Sequence, residues 1–348
     1  MSHINSTTPS TTNVSSGDSS STSIDTETVV LLSLLALLAI PIIAINFFVV
    51  VLVWKKEILR TPANICLASL ACSDLLTGIC AIPLVIVCTF FKTEYGWCLT
   101  MDLINRLLSI SAILHLLVIA VERYVVIVRH VRPDDFLCCK KYVVIVLAVW
   151  FIPLCASLIQ LSWFDWQGSV PHLNGVSEIE IIYDLVCIFG FACVPLLIIV
   201  IAYSRVFCVL RRHTKDIQKQ ASLFLSDSRP QKHKVKEKRA TLIYASMIVF
   251  YVFAWFPYFL ISLSSDLGGG EMVAEIPGWA ANIFMFTRFS SPIANPILYT
   301  FFKQDFKKVI RAIRRGGFQA QIEQVPPSPL ENTIQMKTFK KYSATAET

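Results

Sequence analysis

Three sets of charged residues stand inside long apolar runs, and each implies a different chemistry. Asp74 lies in the middle of the run 63–90. An ionised carboxylate in hydrocarbon costs about 3 kcal/mol or more, so it needs neighbouring hydroxyls or a bound cation. Asn46, Ser111, Ser291 and Asn295 fall at similar depth in their own runs and carry the oxygens that a hard cation such as sodium takes. Glu122-Arg123-Tyr124 closes another run, and Glu237 opens a later one. Read plainly, Arg123 is a positive anchor at a membrane face. Read as chemistry, Arg123 and Glu237 form a charge-assisted pair across two helix ends, a latch that rotation of one helix breaks. Asp102 and Arg106 are one helical turn apart and suited to pair along one face, whereas Arg288 is alone in its run. Arg288 is thus a candidate for an anionic or zwitterionic ligand. Asn105, Leu108, Ser109, Trp255, Tyr258, Phe259, Ser262 and Met285 complete a mostly apolar pocket with few polar groups, as small organic ligands require. The sequence carries no phosphate-cradling glycine loop, nucleophile–base pair or zinc-spaced Cys/His set, so the expected chemistry is binding and switching, not catalysis.

The elements that position these residues follow from composition. Of 348 residues 55% are hydrophobic and 16% charged, against about a quarter charged in soluble domains. Mean hydropathy is +0.61. Seven runs, near 29–54, 63–90, 98–128, 142–162, 180–211, 238–264 and 277–301, reach the roughly 20 helical residues needed to cross a bilayer. They are continuously apolar without period-two alternation, which predicts helices rather than barrel strands. Of 31 Lys and Arg residues, 28 fall in the stretches 55–62, 123–141, 205–239 and beyond 302. Basic residues mark the cytoplasmic side, so the N-terminus is expected outside and the C-terminus inside. The exceptions are Lys92, Arg106 and Arg288.

The predicted organisation is a Ser/Thr-rich, disordered outer tail over 1–28, a bundle over 29–302, a short amphipathic helix over 303–315 and a polar cytoplasmic tail over 316–348. Asn5 and Asn13 stand in N-glycosylation triplets on the outer side. The stretch 212–239 reads as a basic connector. Pro195, Pro257, Pro292 and Pro296 are expected to kink their helices. Cys98 opens the third run with no cysteine across 156–186, leaving Cys88 and Cys187 as its outer-half alternatives.

One motif per run, in order, resembles the rhodopsin-like (class A) G-protein-coupled receptor family. These are Asn46, Leu70-Ala71-Cys72-Ser73-Asp74, Glu122-Arg123-Tyr124, Trp150, Pro195 with Tyr203, Trp255-Phe256-Pro257 and Asn295-Pro296-Ile297-Leu298-Tyr299. The resemblance spans roughly 29–310 and implies an all-α membrane protein, a seven-transmembrane helix bundle with a short eighth helix. It further implies a plasma-membrane receptor in which an outside ligand favours an inside-open packing that activates a heterotrimeric G protein. Trp255 would floor the ligand pocket, with Ile113, Pro195 and Tyr251 below it. Asp74, Ser291 and Asn295 would bind sodium, although Ala112 replaces the usual serine. Arg123, Tyr203 and Tyr299 would rearrange to admit the G protein. Ser343, Thr345 and Thr348 offer sites for receptor kinases and hence arrestin, and the basic face offers contacts to anionic lipid. Cys98 matches the family's disulfide cysteine.

Departures shape the ligand expectation. Amine receptors of the family carry Asp eighteen residues before the helix 3 Arg, where this chain has Asn105; retinal-binding opsins need Lys where this chain has Phe289. The expectation is a small ligand that is neither retinal nor a standard amine. The alternatives are a seven-span transporter or channel, which should show paired broken helices, and a constitutively active receptor-like scaffold.

Overall fold

A computed structural model describes residues 26–90, 95–131, 139–163, 176–221, 229–268 and 277–314. Among these residues the regular structure is helical throughout. Helix α1 spans Thr26–Lys55 and α2 Pro62–Phe90. Pro62 at the first helical position and the Thr61 hydroxyl, which accepts from the Asn64 amide at 3.4 Å, start α2 cleanly. Helix α3 spans Tyr95–Val128 and α4 Cys139–Leu158. Helix α5 joins Val176–Val186 to Val194–Ala221 through a π-helical turn at Cys187–Cys193. Helices α6, Arg229–Gly268, and α7, Gly278–Phe302, precede the short α8, Gln304–Arg314.

Six of these helices, α1 to α6, are long and apolar enough to cross a membrane. Helix α7 has 25 residues, about 37 Å at 1.5 Å per residue, but spends part of its length on Arg288, Ser290, Ser291 and Asn295. The seven expected runs therefore stand as seven helices. The basic connector 212–239 does not stand as expected, since α5 continues to Ala221 and α6 begins at Arg229. Lys, Arg, Gln and Glu are good helix formers, and beyond the bilayer water solvates their charges.

Helix α3 is the hub, packing on α2, α4, α5 and α6, while α7 packs on α1, α2 and α6. The surface of the bundle is apolar: Phe253 is 68% and Phe151 65% exposed. Buried instead are Asn46, Asp74, Asn105, Arg106, His115, Asp184, Arg288 and Asn295. Such a distribution fits a lipid solvent, in which ionisable groups face the bundle interior.

Two prolines do more than kink. A π turn at Thr77–Ala81 precedes Pro83 in α2, and the π turn in α5 precedes Pro195. Proline lacks the N–H and crowds the carbonyl four residues earlier, and a widened turn accommodates both. Gly78 in the first of these turns lets α1 approach, since a Cβ there would sit 2.8 Å from Ile43 Cγ1. Cys88 and Cys98 form a disulfide that ties the C-terminal end of α2 to the start of α3, which resolves the choice between Cys88 and Cys187; Cys187 is buried and free. On α8, Phe306 and Val309 are buried, with the Phe306 ring 5.4 Å from that of Tyr299.

Candidate functional site

The interior holds three polar levels, named outer, middle and inner after the orientation expected from the basic residues. At the outer level, Arg106 Nε donates to Asp102 Oδ2 at 2.8 Å and Arg106 Nη1 to Asp184 Oδ1 at 2.5 Å. The Asp102–Arg106 pairing expected along α3 is therefore present, but it is half of a triad whose second carboxylate comes from α5. Tyr258 of α6 donates to Asp102 Oδ1 at 2.6 Å, and the Arg106 guanidinium lies 4.9 Å from the Tyr183 ring centre. Two carboxylates share one guanidinium, and Asp184 Oδ2 is buried without a partner.

Arg288 is 6% exposed and pairs with no carboxylate among the described residues. Its guanidinium lies 4.4 Å from the Phe289 ring centre, 4.5 Å from that of Tyr258 and 5.6 Å from that of Trp255. Arg288 Nε and both side-chain atoms of Asn105 have no hydrogen-bond partner. Trp255, Tyr258 and Phe259 line up beside them, with ring centres 6.0 and 5.5 Å apart. Met285 packs in the apolar cluster of Phe289 and Leu108. Ser109 differs from expectation: its hydroxyl donates to Arg106 O at 2.9 Å, within its own helix. The Ser262 side chain lies outside the described residues.

Below Trp255 is a small cavity whose walls include Asp74, Ser73, Thr77, Ser291, Asn295 and Tyr251. About 10 Å³ of it admits the centre of a water-sized sphere, room for about one small occupant. Asn295 Nδ2 donates to Asp74 Oδ2 at 3.1 Å, which leaves the Asn295 carbonyl oxygen free of that contact. Two residues of the expected set, Asn46 and Ser111, are not among those that line this cavity. Asn46 donates to Ile42 O and Pro292 O at 2.9 and 3.1 Å, joining α1 to α7 instead of lining the cavity. Ser111 turns toward His115, 3.4 Å away, and Ala112 occupies the cavity wall. Tyr251 donates to Ser109 O at 3.2 Å and stacks on Trp255, ring centres 6.5 Å apart, while Ile113 is fully buried.

At the inner level, Arg123 Nη2 is 3.8 Å from Glu122 Oε1, and its guanidinium is 5.4 Å from the Tyr244 ring centre. Tyr124 packs partly buried against the main core. Glu237 is helical within α6, but its side chain lies outside the described residues, as do Asn5, Asn13, Ser343, Thr345 and Thr348. Among the described residues, Glu122 Oε2, Arg123 Nε, Tyr203 Oη and Tyr299 Oη are buried without partners. Lys303, buried where α7 meets α8, donates to Asn64 Oδ1 of α2 and lies 5.7 Å from the Tyr244 ring centre.

Sequence reasoning passed over Asp184 and Lys303. The available signal for Asp184 was an acidic residue one turn after Glu180, at the edge of an apolar run.

The family model of the 7 transmembrane receptor (rhodopsin family) matches residues 45–299. Trace amine-associated receptor 8b of Rattus norvegicus is 28% identical, over 78% of this chain and 82% of that receptor. Histamine H2 receptor of Homo sapiens is 26% identical, over 78% of this chain and 76% of that receptor. Both relatives are named for amines, so the expectation that the ligand is not an amine finds no support in them.

Proposed function

Because the chain belongs to the rhodopsin family of seven-transmembrane receptors, we propose that it binds a small extracellular ligand carrying an amine and activates a heterotrimeric G protein. The N-terminus then lies outside the plasma membrane, and Arg123 at the inside. One observation carries this reading. Polar and aromatic contacts run without a break from the Asp184–Arg106–Asp102 triad through Tyr258 to Trp255, and on to the cavity of Asp74 and Asn295. A ligand that disturbs the upper end has a path to the lower one. Asn105 supplies no carboxylate, but an ammonium finds one in the unpartnered Asp184 oxygen, at a charge-assisted bond worth about 1.5–3 kcal/mol.

Inside, the unpartnered Glu122, Arg123, Tyr203 and Tyr299 atoms are capacity for a second packing or for a helix of the partner. In the ligand-free packing Arg123 is held by Glu122 and, in this proposal, by Glu237. Kinases and arrestin acting on Ser343, Thr345 and Thr348, and glycans on Asn5 and Asn13, belong to the same proposal.

A sodium ion fits the middle cavity. The Asp74 carboxylate would be its charged ligand, with Ser291 and the Asn295 carbonyl oxygen beside it. The ion would supply a positive charge that holds Asp74 ionised and the α2–α7 contact closed.

Cells expressing the chain, given a panel of biogenic and trace amines, test the reading through G-protein activation. A response that Arg123→Ala abolishes at equal surface expression is expected, together with raised ligand-free signalling in Glu237→Ala. Silence to the panel combined with an unchanged baseline in both variants would count against it.

A further inference from the structure

The outer level has two unsatisfied ends of opposite sign. One is Arg288, buried, unpaired among the described residues and enclosed by Trp255, Tyr258 and Phe289. Aromatic faces attract a guanidinium, but they accept no hydrogen bonds along its edge. A buried charge normally carries a counter-ion, because its loss of hydration is otherwise uncompensated. Asn105 adds a second group with nothing to bond, on the turn of α3 whose Ile104 and Leu108 pack in one cluster with Phe289. A guanidinium fork and a carboxamide N–H are the donors that a planar anion such as a carboxylate takes. The other end is Asp184 Oδ2, on a carboxylate whose side chain is 3% exposed and whose other oxygen is held by Arg106. Between the ends lie Tyr258, Asp102 and Arg106, in contact one with the next.

We propose that the ligand is a zwitterion whose carboxylate is held by Arg288 and Asn105 and whose ammonium is held by Asp184. This deepens the receptor reading and rests on it. An amine alone would leave Arg288 without a carboxylate to bond, and an acid alone would leave Asp184 Oδ2 without a donor. Only a molecule with both charges satisfies both ends at once. The triad stays intact in this mode, since the ammonium meets the Asp184 oxygen that Arg106 does not use.

The probes are ω-amino acids of increasing spacer length and the aromatic amino acids. Each is paired with the amine lacking the carboxylate and with the acid lacking the amine. In cells expressing the full chain, at least one zwitterion is expected to activate G protein at a concentration about tenfold or more below its paired amine. Arg288→Gln removes that advantage, so that each zwitterion is then no more potent than its paired amine. Asp184→Asn weakens amine and zwitterion alike, about ten- to a hundredfold. Should Arg288→Gln fail to reach the surface, Arg288→Glu is scored with diamines of the same spacers, which should replace the zwitterions as agonists. Amines as potent as their zwitterions, an advantage that survives Arg288→Gln, diamines without effect on Arg288→Glu, or silence to every zwitterion up to about 1 mM each overturns the proposal. If Glu237→Ala still raises ligand-free signalling in such a case, the receptor reading stands and the zwitterion alone falls. If that variant is silent too, the receptor reading fails.

Discussion

The two ends of the bundle handle charge in opposite ways. At the outer end, Asp102, Arg106 and Asp184 are drawn together at 2.8 and 2.5 Å across α3 and α5. At the inner end, Arg123 stands 3.8 Å from Glu122, its sequence neighbour, and otherwise leans on the Tyr244 ring. Among the described residues, the outer charges form a closed core with one free oxygen to offer, and a separate, unmatched cation in Arg288. The inner charges are loosely held and surrounded by tyrosine hydroxyls with nothing to bond. A tight triad with defined loose ends suits recognition of a small molecule of fixed charge. Diffuse unsatisfied capacity suits a surface that must repack around something large.

The largest expected effect comes from breaking the outer core. Arg106→Met leaves the Asp184 carboxylate buried without its cation, and losing one partner of a buried ion pair costs about 3–5 kcal/mol. The half-life of the purified receptor at elevated temperature should fall sharply. Replacing all three members together, as Asp102→Leu, Arg106→Met and Asp184→Leu, should restore most of that half-life, since an apolar core of similar volume is often as stable. The triple variant should nonetheless ignore every amine and zwitterion. A triple variant as unstable as Arg106→Met would mean that the triad is a structural brace, and the contrast between the two ends would then lose its functional sense.

The inner end should give a smaller effect of another kind. Lys303 ties the α7–α8 corner to Asn64 of α2 and sits over Tyr244 of α6. Lys303→Met removes that tie at a cost of about 1 kcal/mol, enough to raise ligand-free signalling several-fold if the corner restrains the inactive packing. Baseline signalling equal to wild type would show that the inner charges exert no hold on the switch.

These regions were unequally legible in the sequence. The spans were readable because bilayer thickness sets a length, and the charges within them were readable because lipid makes each one costly. Rotation was not readable. Ser111 and Ala112 are neighbours at the same depth, yet successive helical residues point about 100° apart, so one faces His115 and the other the Asp74 cavity. Pro195 announced a kink, but a proline alone does not say that a π turn will accommodate it, as happens before Pro83 and Pro195. Asp184 drew no notice in the sequence, and only the packing of α5 sets it against Arg106. The Cys98 pairing needed a distance, which the 4.9 Å Cα separation from Cys88 supplies. Arg288 was legible as an exception, and its lack of a counter-ion emerged only with the fold.

A fourth polar cluster gives the comparison its control. His115 Nδ1 is 2.7 Å from the Ser111 carbonyl oxygen, which only accepts, so the proton is on Nδ1 and Nε2 is an acceptor. The Ser69 hydroxyl, 2.8 Å from Nε2, must then donate to it, and its oxygen accepts from Trp150 Nε1 at 2.9 Å. Every group in this set, which links α2, α3 and α4, has its partner, and none is left to offer a ligand. Ser69→Ala should therefore cost only about 1–2 kcal/mol, the price of two buried partners losing one hydroxyl. Thermal stability should register that loss while ligand preference and baseline signalling match wild type. A shift in either would mean that satisfied polar clusters also carry the switch, and unpartnered atoms would lose their standing as markers of function in this bundle.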